Sequence, residues 1–376
     1  MKIFICGPTL YEKCHIGHAR IFIFFNFLIN FHKFIGDSPI AILQLTDIDH
    51  KIYQKNNNHK TEKIANLPDK YLVYLFRDLE NIQVEHNFIY SRVSDFLYLI
   101  KDDVVNILRA KRGYSYAGNV YLTFNDPPAT SSLGLTSDQI RDMPIDISSG
   151  KKNQRDIMIW NSENFYDEHK RSGCDSKNSD EYLTSGIPGW HFQDHEIIKN
   201  VFNAKYDIHG GARELLYPHH EFIYELFIKN GLDGNNHLFQ ENIWVHVGLV
   251  NKDSEKMSNS SGNTVSISDV LKRYSPNALK IFFLSERYKN DIEFSIEGLD
   301  RAEVTDKVIA GLFLKNENNP QQHDYLEKQY LKQLLKILHN DYDTESSINL
   351  ILEVIDKHHN PALIERMVKI LGLKYY

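Results

Sequence analysis

The first 45 residues constrain the fold more tightly than any other segment. Lys2 to Cys6 is a run of alternating apolar residues that stops at the turn Gly7-Pro8. A helical stretch runs from Gly17 to His32, and a second strand pattern covers Pro39 to Leu45. Strand, helix and strand in this order and length suit a parallel sheet with the crossover helix on one face. Between the first strand and the helix stands His15-Ile16-Gly17-His18. A strand end that opens into a helix aims free N–H groups and the positive end of the helix dipole at one spot, which suits a triphosphate. Histidines there can donate to an α-phosphate as charge builds on it in the transition state.

A second segment, Lys256-Met257-Ser258-Asn259-Ser260, lies in the polar stretch Ser254 to Asn263. Its Ser, Asn and Gly content predicts a mobile loop whose lysine can close over pyrophosphate. Each segment alone is a short pattern that recurs by chance, and a pair of ordinary histidines or a solvated lysine would explain it. Together and in this order they read as two halves of one ATP site.

The pattern along the rest of the chain extends the first unit. Residues 58–112 read as helical, with Leu67, Tyr71, Tyr74 and Leu75 at helix spacing, and Asn119 to Phe124 reads as a short alternating strand. Asp126 to Ser185 is polar and aperiodic, as an insertion would be. The sheet resumes at Lys205 to Ile208 and Ile243 to Val247, with a helix over Pro218 to Lys229 between them. Beyond Ser295 three helices are expected: Ile296 to Leu314, one carrying Leu326, Tyr330, Leu334 and Leu338, and one around Ile348 to Ile355. The last is punctuated by Asn360 as N-cap, Pro361 in the first turn and Gly372 beyond the end. The expected class is α/β: a Rossmann-type parallel nucleotide-binding sheet with an insertion, followed by an all-helical C-terminal region. The expected units are 1–112 and 186–250 as the two halves of the catalytic domain and 113–185 as a connective insertion. They are followed by 251–300 as a lysine-loop and stem-contact region and 301–376 as a short helical domain.

Composition narrows the class. With 376 residues and 42% hydrophobic content, the chain can bury the cores of two or three domains. Ile21 to Leu28, the most apolar stretch, is interrupted by Asn26 and falls well short of the ~20 residues of a membrane span. We expect no signal peptide and a cytoplasmic protein; Cys6, Cys14 and Cys174 are too few for a disulfide framework. A net charge of -7 argues against a protein that coats nucleic acid, while local patches such as Arg109, Lys111 and Arg112 leave RNA contact open. Oligomeric state is not set by the sequence.

At finer grain the chain resembles the cysteinyl-tRNA synthetase family of class I aminoacyl-tRNA synthetases. The resemblance rests on Cys6-Gly7-Pro8-Thr9 with Tyr11, Cys14 to Arg20, Thr46 to Asp49 with Lys51, and Pro188-Gly189-Trp190-His191. It continues through Asp207 to Gly211, Pro218 to Glu221, His246 to Leu249 and the lysine loop, reaching from about residue 3 to about residue 300. It implies activation of L-cysteine by ATP with Mg2+, then transfer to tRNA, with tRNA-Cys as the acceptor. By resemblance His15, His18 and Lys256 are catalytic. Gly7, Thr9, Gly17, His209, Gly210, Gly211, Lys256 and Ser258 bind ATP, and Cys6, Thr46 and Trp190 meet the amino acid.

The departures from the family are specific. Serine differs from cysteine by one atom, and a hydrophobic pocket rejects such an isostere by only ~10²-fold. The family answers with a Zn2+ ion held by two cysteines, a histidine and a glutamate. This chain keeps Cys6 and His219 and carries Asp194 and Ile223 at the other two positions. Cys6, Asp194 and His219 can make a three-ligand metal site with one position open for the substrate sulfur, whereas Ile223 coordinates nothing and His191, His195 and His220 are the nearby candidates to substitute. Asn259 replaces a second loop lysine, Gln44 an asparagine, and Glu214 an aspartate. We also expect no full anticodon-binding domain after residue 300. Two alternatives follow: a ligase that passes cysteine to a small-molecule amine, and a non-catalytic synthetase paralogue.

Overall fold

The computed structural model describes residues 1–58, 66–123, 133, 150–153, 155–162, 183, 185–229, 242–258, 261–314 and 324–375. The first unit is β1 (Lys2–Thr9), α1 (Ile16–Phe34), β2 (Ile40–Thr46), α2 (His50–Asn58), α3 (Asn66–Asn81), β3 (Ile89–Arg92) and α4 (Leu97–Arg109). The segment 58–112, expected to be helical throughout, thus contains a strand. β3 is only four residues long, and its Ile42↔Ile89 to Leu45↔Arg92 pairing with β2 is what holds it extended.

An antiparallel sheet follows, made of β4 (Gly113–Tyr116), β5 (Asn119–Leu122), β6 (Ile157–Asn161) and β7 (Ile187–Pro188). β5 is buried at every position, not alternately exposed, because Val120 and Leu122 pack into one core while Tyr121, on the other face, stacks on Tyr114 and accepts from Asn119 Nδ2. Most of the expected insertion between Asp126 and Ser185 lies outside the described residues. The chain then returns through α5 (Trp190–Phe202), β8 (Ile208–Ala212), α6 (Glu221–Lys229) and β9 (Ile243–Val247).

The main sheet has the order β3-β2-β1-β8-β9 and all its pairs are parallel. Winding runs outward from β1 to β3, then restarts on β1's other side with β8. This reversal leaves a crevice at the carboxyl ends of β1 and β8, where open α/β sheets bind ligands. Helices cover both faces, so β1 is apolar on both. Ile3 and Ile5 join one core with α1, while Phe4 and Cys6 join another with residues of α4 and α5.

The remaining elements are β10 (Val250–Lys252), β11 (Glu255–Lys256), α7 (Ile267–Leu271), α8 (Pro276–Leu284), β12 (Ile292–Glu293), α9 (Ile296–Leu314), α10 (Asp324–His339), α11 (Thr344–His358) and α12 (Pro361–Ile370). Asn360 and Pro361 do open a helix, as expected, but it is a fourth one, separate from α11. Asn360 caps α12 by accepting from the Leu363 N–H at 3.1 Å. α1 packs against the sheet on one side and against α8 and α12 on another, which is why it is apolar around most of its surface. Phe22, Phe25 and Phe27, each fully buried, contribute roughly 1.5–3 kcal/mol apiece. Among the described residues no helix is long and apolar enough to cross a membrane.

Candidate active site

A cavity of about 890 Å3 opens at the crevice. Its walls come from the end of β1 (Gly7, Thr9), from the start of α1 (His15, Gly17, His18), from α2 (Lys51, Lys55), from the end of β8 and the turn after it (Ala212, Glu214) and from the lysine segment (Lys256, Met257, Ser258). Cys6, Gln44, Trp190, Asp194 and His219 complete it. Segments far apart in sequence, including both motif halves, meet here.

His15 and His18 cap α1 reciprocally. His15 Nδ1 accepts from the Gly17 N–H at 3.1 Å, and His18 Nδ1 accepts from the His15 N–H at 3.3 Å. With both Nδ1 atoms accepting, the neutral tautomers carry their protons on Nε2. Burial, then the Lys256 charge, lowers His15 to about 4; burial, then His15, lowers His18 to about 3. Both are neutral donors at pH 7. Lys256 is lowered by burial and by Lys51, and its ammonium pairs with Glu214. Asn263 braces the loop, accepting from the Ser258 N–H at 3.0 Å and donating to the Lys256 carbonyl at 3.1 Å.

Asp47 has a structural part: Arg92 Nε donates to it at 2.9 Å and so does the Ser94 N–H at 2.9 Å, which fixes the end of β2 against β3. Four of the anticipated site residues do not line the cavity. Thr46 is buried with its hydroxyl accepting from Gln44 Nε2 at 3.0 Å, and Gln44 takes the wall position instead. Gly210 and Gly211 are enclosed by β8's neighbours, Gly210 against the Phe25 ring. His209 is fully buried behind Cys6, its Nε2 at 3.4 Å from Sγ.

Around Cys6 the donors are dense. Sγ lies 3.1 Å from Asp194 Oδ2, 3.7 Å from His219 Nε2 and 3.3 Å from His220 Nε2; His219 Nε2 is 3.1 Å from Asp194 Oδ2. Two donor sets share the sulfur, Cys6/Asp194/His219 and Cys6/His209/His220. Only the first faces the cavity. Burial and the Asp194 carboxylate push the Cys6 thiol up. Asp194 Oδ1 is buried without a donor among the described residues. A buried, under-satisfied carboxylate beside a thiol and an imidazole is costly alone and suited to a divalent cation. His191 Nδ1 contacts His219 Nδ1 at 2.9 Å and so orients its Nε2 toward the set. The Trp190 ring covers His219 at 4.7 Å between centroids. Ile223 is fully buried in apolar core. His220, one of the candidate substitutes, does reach Cys6, whereas His209 was not assigned to it from sequence because only the strand register, Phe4↔His209, brings it there.

Residues 1–304 match the family described as tRNA synthetases class I (C) catalytic domain. The chain belongs to that family. A cysteine--tRNA ligase of Methanococcus vannielii is 32% identical over 81% of this chain and 62% of its own length. One of Methanococcus maripaludis is 26% identical over 94% of this chain and 74% of its own. The chain thus spans about three-fifths of the length of the first of these class I relatives. The Mycobacterium tuberculosis methionyl-tRNA synthetase in complex with methionyl-adenylate superposes with a TM-score of 0.64, covering 98% of this chain and 87% of that one at 12% identity. That likeness supports the class I fold.

Proposed function

We propose that this chain activates L-cysteine with ATP and passes the cysteinyl group to tRNA, with tRNA-Cys as the acceptor. The observation that carries the reading is the meeting of His15, His18 and Lys256 with Cys6, Asp194 and His219 in one cavity at the switch point. In the first step the amino-acid carboxylate attacks the α-phosphorus of Mg2+-bound ATP and pyrophosphate leaves. The His15 and His18 Nε2–H groups donate to oxygens that gain charge, and Lys256 meets the departing phosphates. In the second step a 3′-terminal hydroxyl of the RNA attacks the adenylate carbonyl and AMP leaves. No protein nucleophile is needed.

Cys6, Asp194 and His219 would hold Zn2+, which when bound supplies a thiol-selective ligand position. The reading divides the chain into catalytic halves 1–112 and 186–250, an insertion 113–185, a stem-contact region 251–300 and a helical domain 301–376.

The test is amino-acid-dependent ATP–pyrophosphate exchange with cysteine and serine side by side, followed by aminoacylation of total tRNA. Exchange with cysteine over serine and charged tRNA are the expected results. Exchange without charged tRNA would redirect the acceptor to a small amine, and intact ATP binding without exchange would leave a non-catalytic paralogue.

A further inference from the structure

Four lysines line the cavity: Lys13, Lys51, Lys55 and Lys256. Three are already engaged. Lys55 pairs with Glu12 at 3.2 Å, Lys256 pairs with Glu214, and Lys13 lies 4.5 Å above the Tyr74 ring with the charges of Asp78 and Asp269 acting on it. Lys51 has no carboxylate partner for its ammonium among the described residues. It rests 5.7 Å from the centroid of Tyr11, the same ring that Lys55 approaches at 5.6 Å.

Lys51 is also close enough to Lys256 for its charge to act on that lysine. Two like charges facing one partly enclosed space repel, and an anion between them removes the repulsion and gains attraction from both. Tyr11, in the loop after β1, holds the Lys51 side chain by cation–π attraction and limits the rotamer freedom it would lose on binding. We infer that Lys51 is a second phosphate-binding lysine, acting with Lys256 on the terminal phosphates of ATP. The inference rests on the ATP-dependent reading above and adds a residue from α2 to it. It also accounts for a loop with a single lysine: the second cation comes from α2, and position 259 need not supply it.

The experiment uses the full chain, with Lys51→Met to remove the charge and keep the stem. Affinity for inorganic pyrophosphate and for ATP is measured by titration calorimetry, and cysteine-dependent exchange is measured without tRNA. Lys51 is exposed and supports no core, so the variant is expected to fold. Loss of a charge-assisted contact weakens pyrophosphate binding about 10- to 100-fold and raises the KM for ATP. Lys51→Arg retains most of the affinity, and Asn259→Lys placed in the Lys51→Met chain recovers part of it.

Pyrophosphate affinity unchanged by Lys51→Met, with affinity lost in Lys256→Ala, overturns the inference and leaves the proposed function standing. Intact exchange with reduced tRNA charging also overturns it, because the lysine would then serve the RNA. A wild-type chain that neither binds ATP nor exchanges pyrophosphate overturns the parent reading and this inference with it.

Discussion

Asp194 Oδ2 stands 3.1 Å from Cys6 Sγ, and both side chains are buried at the wall of the cavity. A carboxylate and a thiol in this proximity, with His219 completing the set, form a site that a divalent cation stabilises. We predict about one Zn2+ per chain after metal-free purification and reconstitution. Asp194→Ala should lower zinc affinity by more than the ~10- to 100-fold typical of losing an outer partner. Competition with a chromophoric chelator reads this directly, and equal affinity in the two chains would rule the donor set out.

Lys256 and Glu214 form an ion pair in which each side chain is 44% exposed. Solvent screens such a pair, so Lys256→Ala should change unfolding free energy by no more than about 0.5 kcal/mol. Its effect on chemistry is expected to be larger, with adenylate formation losing about 2–4 kcal/mol of transition-state stabilisation. Urea unfolding beside single-turnover activation separates the two. A stability loss that matches the activity loss would make Lys256 a structural residue.

His15 and His18 set a pH dependence of the fold. Their folded-state values, about 4 and about 3, lie below the ordinary 6.5, so between about pH 3 and 6.5 the unfolded chain binds more protons. Stability is therefore full above about 6.5 and declines as pH falls through that window. The urea midpoint should drop between pH 7 and pH 5, and His18→Gln should flatten the slope. An unchanged slope in that variant would assign the dependence to the other buried histidines.

The strand, loop and helix at the start of the chain were legible because an apolar run, a Gly-Pro turn and a helix of matching period occur in sequence. The lysine segment was legible as polar and as part of the site, but not as a strand: Glu255–Lys256 forms β11, held extended by its pairing with β10. β3 was not legible: Ile89 to Arg92 is too short for a period to emerge, and its extension depends on β2. The second donor set at Cys6 was hidden for a related reason. His220 stood out as a substitute ligand beside His219, but nothing local to His209 points to Cys6, and only the β1–β8 register and the kinked turn Leu216–His220 bring the two to one sulfur. The sequence resemblance put Thr46 at the amino acid, yet Gln44, two residues earlier on β2, takes the wall and Thr46 serves as its hydrogen-bond partner.

Gly210 tests whether a signature glycine serves ligand or packing. A Cβ there would stand 2.0 Å from Phe25 Cζ and 2.6 Å from Cε1. The ring is fully buried on α1, so relief requires moving the helix whose first turn carries His15 and His18. Gly210→Ala should cost about 1–3 kcal/mol of stability by overpacking. At Gly211 the nearest atoms are side-chain atoms of Leu215 and His220 at 3.1 and 3.3 Å, which can give way by a few tenths of an ångström. Gly211→Ala is therefore expected to cost less. Urea unfolding of the two variants orders them, and ATP titration of each folded protein shows what the glycine does for the nucleotide. If Gly210→Ala keeps its stability but loses ATP affinity, the close approach to Phe25 is not what requires a glycine at this position.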